Sequence, residues 1–137
     1  MLHSRFPVTA ALVAILAGLL AASAAFARVA RNTIDPVAVV SQDGRHLFVT
    51  GPVECTPGER SRLRVTVSQR STGAVAEGRT FETCTGSAQQ WEVEASILGK
   101  AKFEEGPATA VAIAVTSDRD SATDAHQWLV NVTLVAE

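Results

Sequence analysis

The stretch Arg62-Leu63-Arg64-Val65-Thr66-Val67-Ser68-Gln69 constrains the fold more than any other. Leu63, Val65 and Val67 hold the odd positions, while Arg62, Arg64, Thr66 and Ser68 hold the even ones. Side chains of a β-strand point alternately to its two faces, so this segment reads as a strand with one dry and one wet face. Similar runs recur along the chain. Pro36 to Ser41, His46 to Cys55, Ala74 to Thr83, Gln90 to Ala95, Ala108 to Val115 and Gln127 to Val135 all carry strand signals. Within them, Leu47, Val49, Val53 and Cys55 share one parity, as do Trp91, Val93 and Ala95, and Trp128, Val130, Val132 and Leu134. Residues 108–115 could also be read as a helix, but the β-branched Thr109, Val111, Ile113 and Val115 favour a strand with alanines on its other face.

Turn chemistry separates the runs. Asp43-Gly44 lies between apolar segments and predicts a tight hairpin in which both residues take positive φ. Gly51-Pro52 predicts a kink or bulge. Thr56-Pro57-Gly58-Glu59 and Ser71-Thr72-Gly73 read as turns, and Ser117 to Asp124 as a polar loop. About seven short strands, with no helical period after the N-terminal segment, predict one antiparallel β-sandwich over 36–137.

The N-terminus is of a different kind. Arg5 precedes an apolar stretch from Pro7 to Leu20, and the small residues Ala21 to Ala27 follow, interrupted only by Phe26. A charged start, an apolar helix and an A-x-A site make a secretory signal peptide, assigned to residues 1–27 with cleavage after Ala27. Intact mass of the exported protein should place the new N-terminus at Arg28, within about three residues; a full-length species held in membranes would contradict this. Residues 28–35 read as a disordered leader. Removal of the signal leaves 11 basic and 14 acidic residues, a charge of −3 with histidine neutral. That balance argues against a nucleic-acid binder, and no membrane-spanning stretch follows the signal.

Cys55 and Cys84 are the only cysteines. An even count in an exported chain predicts a disulfide. They lie too far apart, without a C-x-x-C or a nearby histidine, to read as a zinc site.

The order of features resembles a family. Asp43-Gly44-Arg45 precedes a strand ending at Cys55; Cys84-Thr85-Gly86 leads through Gln89 or Gln90 to Trp91 and Val93; Phe103, Gly106, Ala108, Ala110 and Ala112 follow. Over roughly residues 36–135 this is similar to the small secreted immunoglobulin-like domains of actinobacteria. The resemblance implies an immunoglobulin-like antiparallel sandwich and an exported location, and it implies no activity. Trp91 follows Cys84 rather than lying between the cysteines as in antibody domains, so the bridge is expected to pin a strand end to a mid-chain loop.

Candidate sites are few. His46 and His126 are the histidines beyond the signal, and G-x-S-x-G, H-E-x-x-H and P-loop motifs are absent. No catalytic residue, metal site or cofactor is assigned. Asp118, Asp120 and Asp124 crowd one loop with His126, but Arg119 sits among them and no glycine shapes a calcium cage. Trp91 and Trp128 keep register with apolar faces and are expected in the core; Phe48, of opposite parity to Leu47 and Val49, is expected to be partly exposed.

Arg60, Arg62, Arg64 and Arg70 share even numbering along the strongest strand. They form either one half of a set of cross-strand ion pairs, with Glu92 and Glu94 as partners, or an anion-binding face for a cell-envelope polymer or an acidic extracellular protein. The expected function is a non-catalytic, monomeric binding or surface-interaction module, secreted or held at the cell envelope. The alternative is a small-molecule carrier or inhibitor with an apolar cleft between loops.

Overall fold

The computed structural model describes residues 29–137. The signal peptide assigned to residues 1–27 lies outside them. Eight strands and no helix make up the described chain: β1 (Val29–Asn32), β2 (Val37–Val40), β3 (His46–Cys55), β4 (Arg60–Gln69), β5 (Ala74–Thr83), β6 (Gln89–Ile97), β7 (Gly106–Asp118) and β8 (Ser121–Ala136).

The strands do not separate into two sheets. Hydrogen bonding runs β2-β8-β7-β4-β5-β6-β3 and returns to β2, closing a barrel, with β1 beside β2 on the same edge of β3. Two short seams make the closure. β2 runs parallel to β8 over Val37–Val40 against Thr133–Ala136, and β5 meets β6 through Ala76 with Ile97 and Glu77 with Ser96. The expectation of an antiparallel sandwich of about seven strands is corrected to that extent. Period-2 patterning defines the faces of each strand but carries no information about whether sheet edges meet. Between the seams lie two fully paired flanks, β5-β4-β7-β8 and β3-β6.

Alternation places the core. Leu63, Val65 and Val67 of β4, Leu47, Val49 and Val53 of β3, and Trp91, Val93 and Ala95 of β6 are buried. The inward face of β7 is alanine at 108, 110, 112 and 114 and ends in the buried Thr116. Small residues on one wall leave volume for the large buried side chains Trp91, Leu47 and Leu134. Gly51 runs through β3 without a break. A Cβ there would lie 2.5 Å from Trp91 Cζ2 and would overlap the Thr33 carbonyl oxygen, so this glycine serves close approach rather than a kink.

The leader is also corrected. Val29–Asn32 pairs with the end of β3, Ile34 enters the core, and the Asp35 N–H donates to the Thr50 carbonyl. A single buried isoleucine between polar residues has no periodicity to announce it. At the 41–45 turn, only Gly44 takes positive φ, at 70°. The Gly44 N–H donates to Ser41 O, and a Cβ on Gly44 would meet Phe103 O at 2.6 Å. Asp43 instead accepts from the Ser41 hydroxyl at 2.6 Å and the Arg45 N–H at 3.0 Å, which holds its carboxyl below the usual value. That contribution is present above the ordinary carboxylate pKa and is lost as pH falls through the lowered one. The two-positive-φ hairpin occurs elsewhere, at Arg119 (47°) and Asp120 (70°) between β7 and β8.

Cys55 and Cys84 form a disulfide that joins the end of β3 to the loop after β5, as expected. Backbone bonds surround it: Gly58 N–H to Cys84 O, Cys84 N–H to Glu59 O and Gly86 N–H to Cys55 O. Such a bridge belongs to an oxidising, extracytoplasmic compartment.

Gln69 is the largest buried polar side chain. Its amide nitrogen donates to Glu104 O at 2.8 Å, and its oxygen accepts from the Glu104 N–H at 2.9 Å and the Thr72 hydroxyl at 3.0 Å. It clamps the irregular 99–105 segment to the end of β4. Gln69→Leu should cost about 1–3 kcal/mol by leaving backbone groups of Glu104 unpaired. A urea midpoint unchanged from the parent would refute the clamp.

Candidate functional site

The arginines of β4 stand on the outer face of the β5-β4-β7-β8 flank. Arg60, Arg62 and Arg64 are all exposed. Successive outward residues on a strand lie about 6.8 Å apart, so the three make an evenly spaced row. Register supplies their neighbours. Arg62 lies between Phe81 of β5 and Val115 of β7, and Arg64 between Arg79 and Ile113. The Arg60 guanidinium carbon is 5.9 Å from the centre of the Phe81 ring.

Two adjoining depressions follow the row. One, of about 320 Å³, is lined by Arg62, Arg64, Arg79, Ile113 and Val115. The other, of about 530 Å³, brings Arg60, Arg62, Phe81 and Val115 together with Asp118, Arg119 and Asp120 at the β7–β8 turn. Guanidinium groups therefore stand beside the apolar side chains Phe81, Ile113 and Val115. Apolar neighbours support the aliphatic stems and lower the local dielectric, which strengthens attraction for an anion.

Compensation of charge on this face is uneven: Asp118 and Asp120 border the Arg60 and Arg119 end, and among the described residues the middle of the row has no acidic partner. Glu77 sits 3.3 Å from Arg79, its neighbour two positions along β5. Among the described residues, no carboxylate lies within ion-pair distance of Arg62 or Arg64. Arg64 and Arg79 are directly opposed across β4 and β5, a like-charge arrangement that costs stability.

Glu92 and Glu94 are not their partners. Both lie on β6, opposite Thr50 and Phe48 of β3, on the other flank of the barrel. Glu94 instead lies 3.3 Å from His46 Nδ1. Parity states which side of its own strand a residue occupies, and it does not state which flank the strand joins. The expected cross-strand ion pairs are therefore replaced by opposite charges on opposite flanks.

Arg70 falls in the turn after β4, at the far end of the face. Along the strand it is roughly 20 Å from Arg64, and it borders a separate open groove with Ser68, Val75 and Asn131. The structure thus groups Arg60, Arg62 and Arg64, leaves out Arg70 and adds Arg79 and Arg119. Arg79 and Phe81 share odd parity with Val75, and that signal was available in the sequence; Gly78 inside the run obscured it.

Hairpin pairing spreads the acidic loop out. Asp118 ends β7, Asp120 occupies the turn, and Asp124 pairs across from Thr116 with its carboxylate 2.9 Å from His126 Nε2. Trp128, expected in the core, is only partly buried and stacks on His126 with ring centres 5.8 Å apart. Among the described residues, β8 has a second neighbour strand only over Thr133–Ala136, so Trp128 is not closed over. Phe48 is half-buried, as its parity predicts.

No protein-family model matches the chain, and no curated protein matches it. Among solved structures, it is similar to that of WR4, a C. elegans MSP family member, at 14% identity and a TM-score of 0.40, over 77% of this chain and 97% of that one.

Proposed function

We propose that the chain is an exported, non-catalytic, immunoglobulin-like binding module that holds an anionic partner on the outer face of β5-β4-β7-β8. One observation carries the reading. A chain of net charge −2 gathers Arg60, Arg62, Arg64 and Arg79 on one exposed face, with two of them directly opposed and Glu92 and Glu94 on the other flank. Guanidinium forks suit carboxylate and phosphate oxygens, and an evenly spaced row suits an extended or repeating anion. Export is supported by the pattern of residues 1–27 and by the disulfide. The immunoglobulin-like description is supported by antiparallel flanks of strands packed over one core.

The test is retention of the mature domain on immobilised poly-L-glutamate and, in parallel, on an anionic wall polymer. Retention at low salt should fall steeply as salt rises. Arg62→Ala/Arg64→Ala should abolish it while changing stability by no more than about 0.5 kcal/mol, because both side chains are exposed. Glu92→Gln/Glu94→Gln should leave it intact. A parent protein that shows no salt-sensitive retention on either matrix would sink the reading.

A further inference from the structure

The arginine face carries more than charge. The described chain exposes five large hydrophobic side chains, and three of them, Val75, Phe81 and Leu129, are on this one face. Phe81 is 59% and Leu129 67% exposed. Register fixes their arrangement. Phe81 lies on one side of Arg62, and Val115, Ile113 and Val111 form a half-buried column along β7 on the other side of the arginine row. Leu129 of β8 lies next to Val111. The row of cations therefore runs between an exposed aromatic ring and an aliphatic column that ends in an exposed leucine.

A hydrophilic polyanion would satisfy the guanidiniums and leave Phe81 and Leu129 wet. A protein surface that brings carboxylates together with apolar side chains would cover both. Arginine and aromatic residues are also the types enriched in the energetic centres of protein interfaces. Four strands and the rows from Arg60 to Ser68 span roughly 15 Å by 27 Å, on the order of 400 Å² in projection, the scale of a small, transient interface rather than of the ~800 Å² per partner of a standard one.

We infer that the face is a protein-docking surface whose partner presents acidic side chains interleaved with apolar ones. This rests on the reading that the face binds an anion, and it narrows that reading from any anion to one chemical class. Carboxylates would meet Arg62, Arg64 and Arg79, and the partner's apolar side chains would cover Phe81 and the β7 column.

Three dye-labelled probes test it on the mature domain by fluorescence anisotropy: three repeats of Glu-Ser-Phe-Ser, three repeats of Glu-Ser-Ser-Ser, and inorganic polyphosphate. In an extended peptide, the first probe presents Glu and Phe on one face at alternate positions. It should bind about tenfold more tightly than the second, the gain expected for burying aromatic surface. Phe81→Ser/Leu129→Ser should reduce that preference to about twofold or less on the same grounds. Arg62→Ala/Arg64→Ala should weaken all three probes. Equal binding of the two peptides, or tighter binding of polyphosphate than of the Phe-containing peptide, would overturn the protein-docking inference and leave the anion-binding function standing. No binding of any probe would overturn both.

Discussion

Truncating Trp91 to alanine is expected to cost about 3–5 kcal/mol, against a total stability of roughly 5–15 kcal/mol for a domain of this kind. Trp91 is 1% exposed and is the largest fully buried side chain. Its indole N–H donates to the Pro52 carbonyl at 3.2 Å, and its six-membered ring lies against Gly51 where a side chain would otherwise stand. Truncation opens a cavity between β3 and β6 and leaves the Pro52 carbonyl without its donor. The reciprocal change, Gly51→Ala, should cost about 1–3 kcal/mol by overpacking the same contact. Trp128→Ala should cost about 1 kcal/mol or less, because its ring is partly exposed and packs at the rim. Denaturant midpoints followed by far-ultraviolet circular dichroism would rank the three. Equal losses at Trp91 and Trp128 would contradict the assignment of the core.

Reducing the Cys55–Cys84 bridge is the second large effect expected. The cysteines are 29 residues apart. Closing a loop of that length stabilises by about 3.5 kcal/mol in the chain-entropy account. For a domain of this size the melting temperature should fall by roughly 10–20 °C. The bridge also ties together the 56–59 turn and the 84–86 loop, whose backbone bonds run across it. A Cys55→Ala/Cys84→Ala variant should behave like the reduced protein. A melting temperature lowered by only a degree or two in both would mean that those backbone bonds hold the two segments without the covalent link.

The sequence carried some of this and not the rest, for identifiable reasons. β3 and β5 run over the residues their patterns predicted, and β4 differs only by two residues at its start. Each is long and bounded by turn residues, so local chemistry suffices. The two seams that close the barrel join residues distant in the chain, such as Val39 with Val135 and Ala76 with Ile97, and no local pattern reports such a meeting. The arginine row on β4 was legible because parity is a property of one strand. Its setting was not, because pairing partners decide that Arg64 faces Arg79 and Ile113 rather than Glu94. The exposure of Trp128 has the same origin. Its parity is the core parity, but the strand that would have covered it pairs with β8 only further along.

The central claim, that the outer face of β5-β4-β7-β8 is where a partner binds, is most directly tested by chemical-shift mapping. Mature domain labelled with nitrogen-15 would be titrated with poly-L-glutamate at low salt. The perturbed signals should cluster on β4, β5 and β7, with the guanidinium resonances of Arg62, Arg64 and Arg79 moving together and Glu92 and Glu94 amides unmoved. Perturbations centred instead on Arg45, Lys100 and Lys102, the other concentration of cationic side chains, would contradict the account.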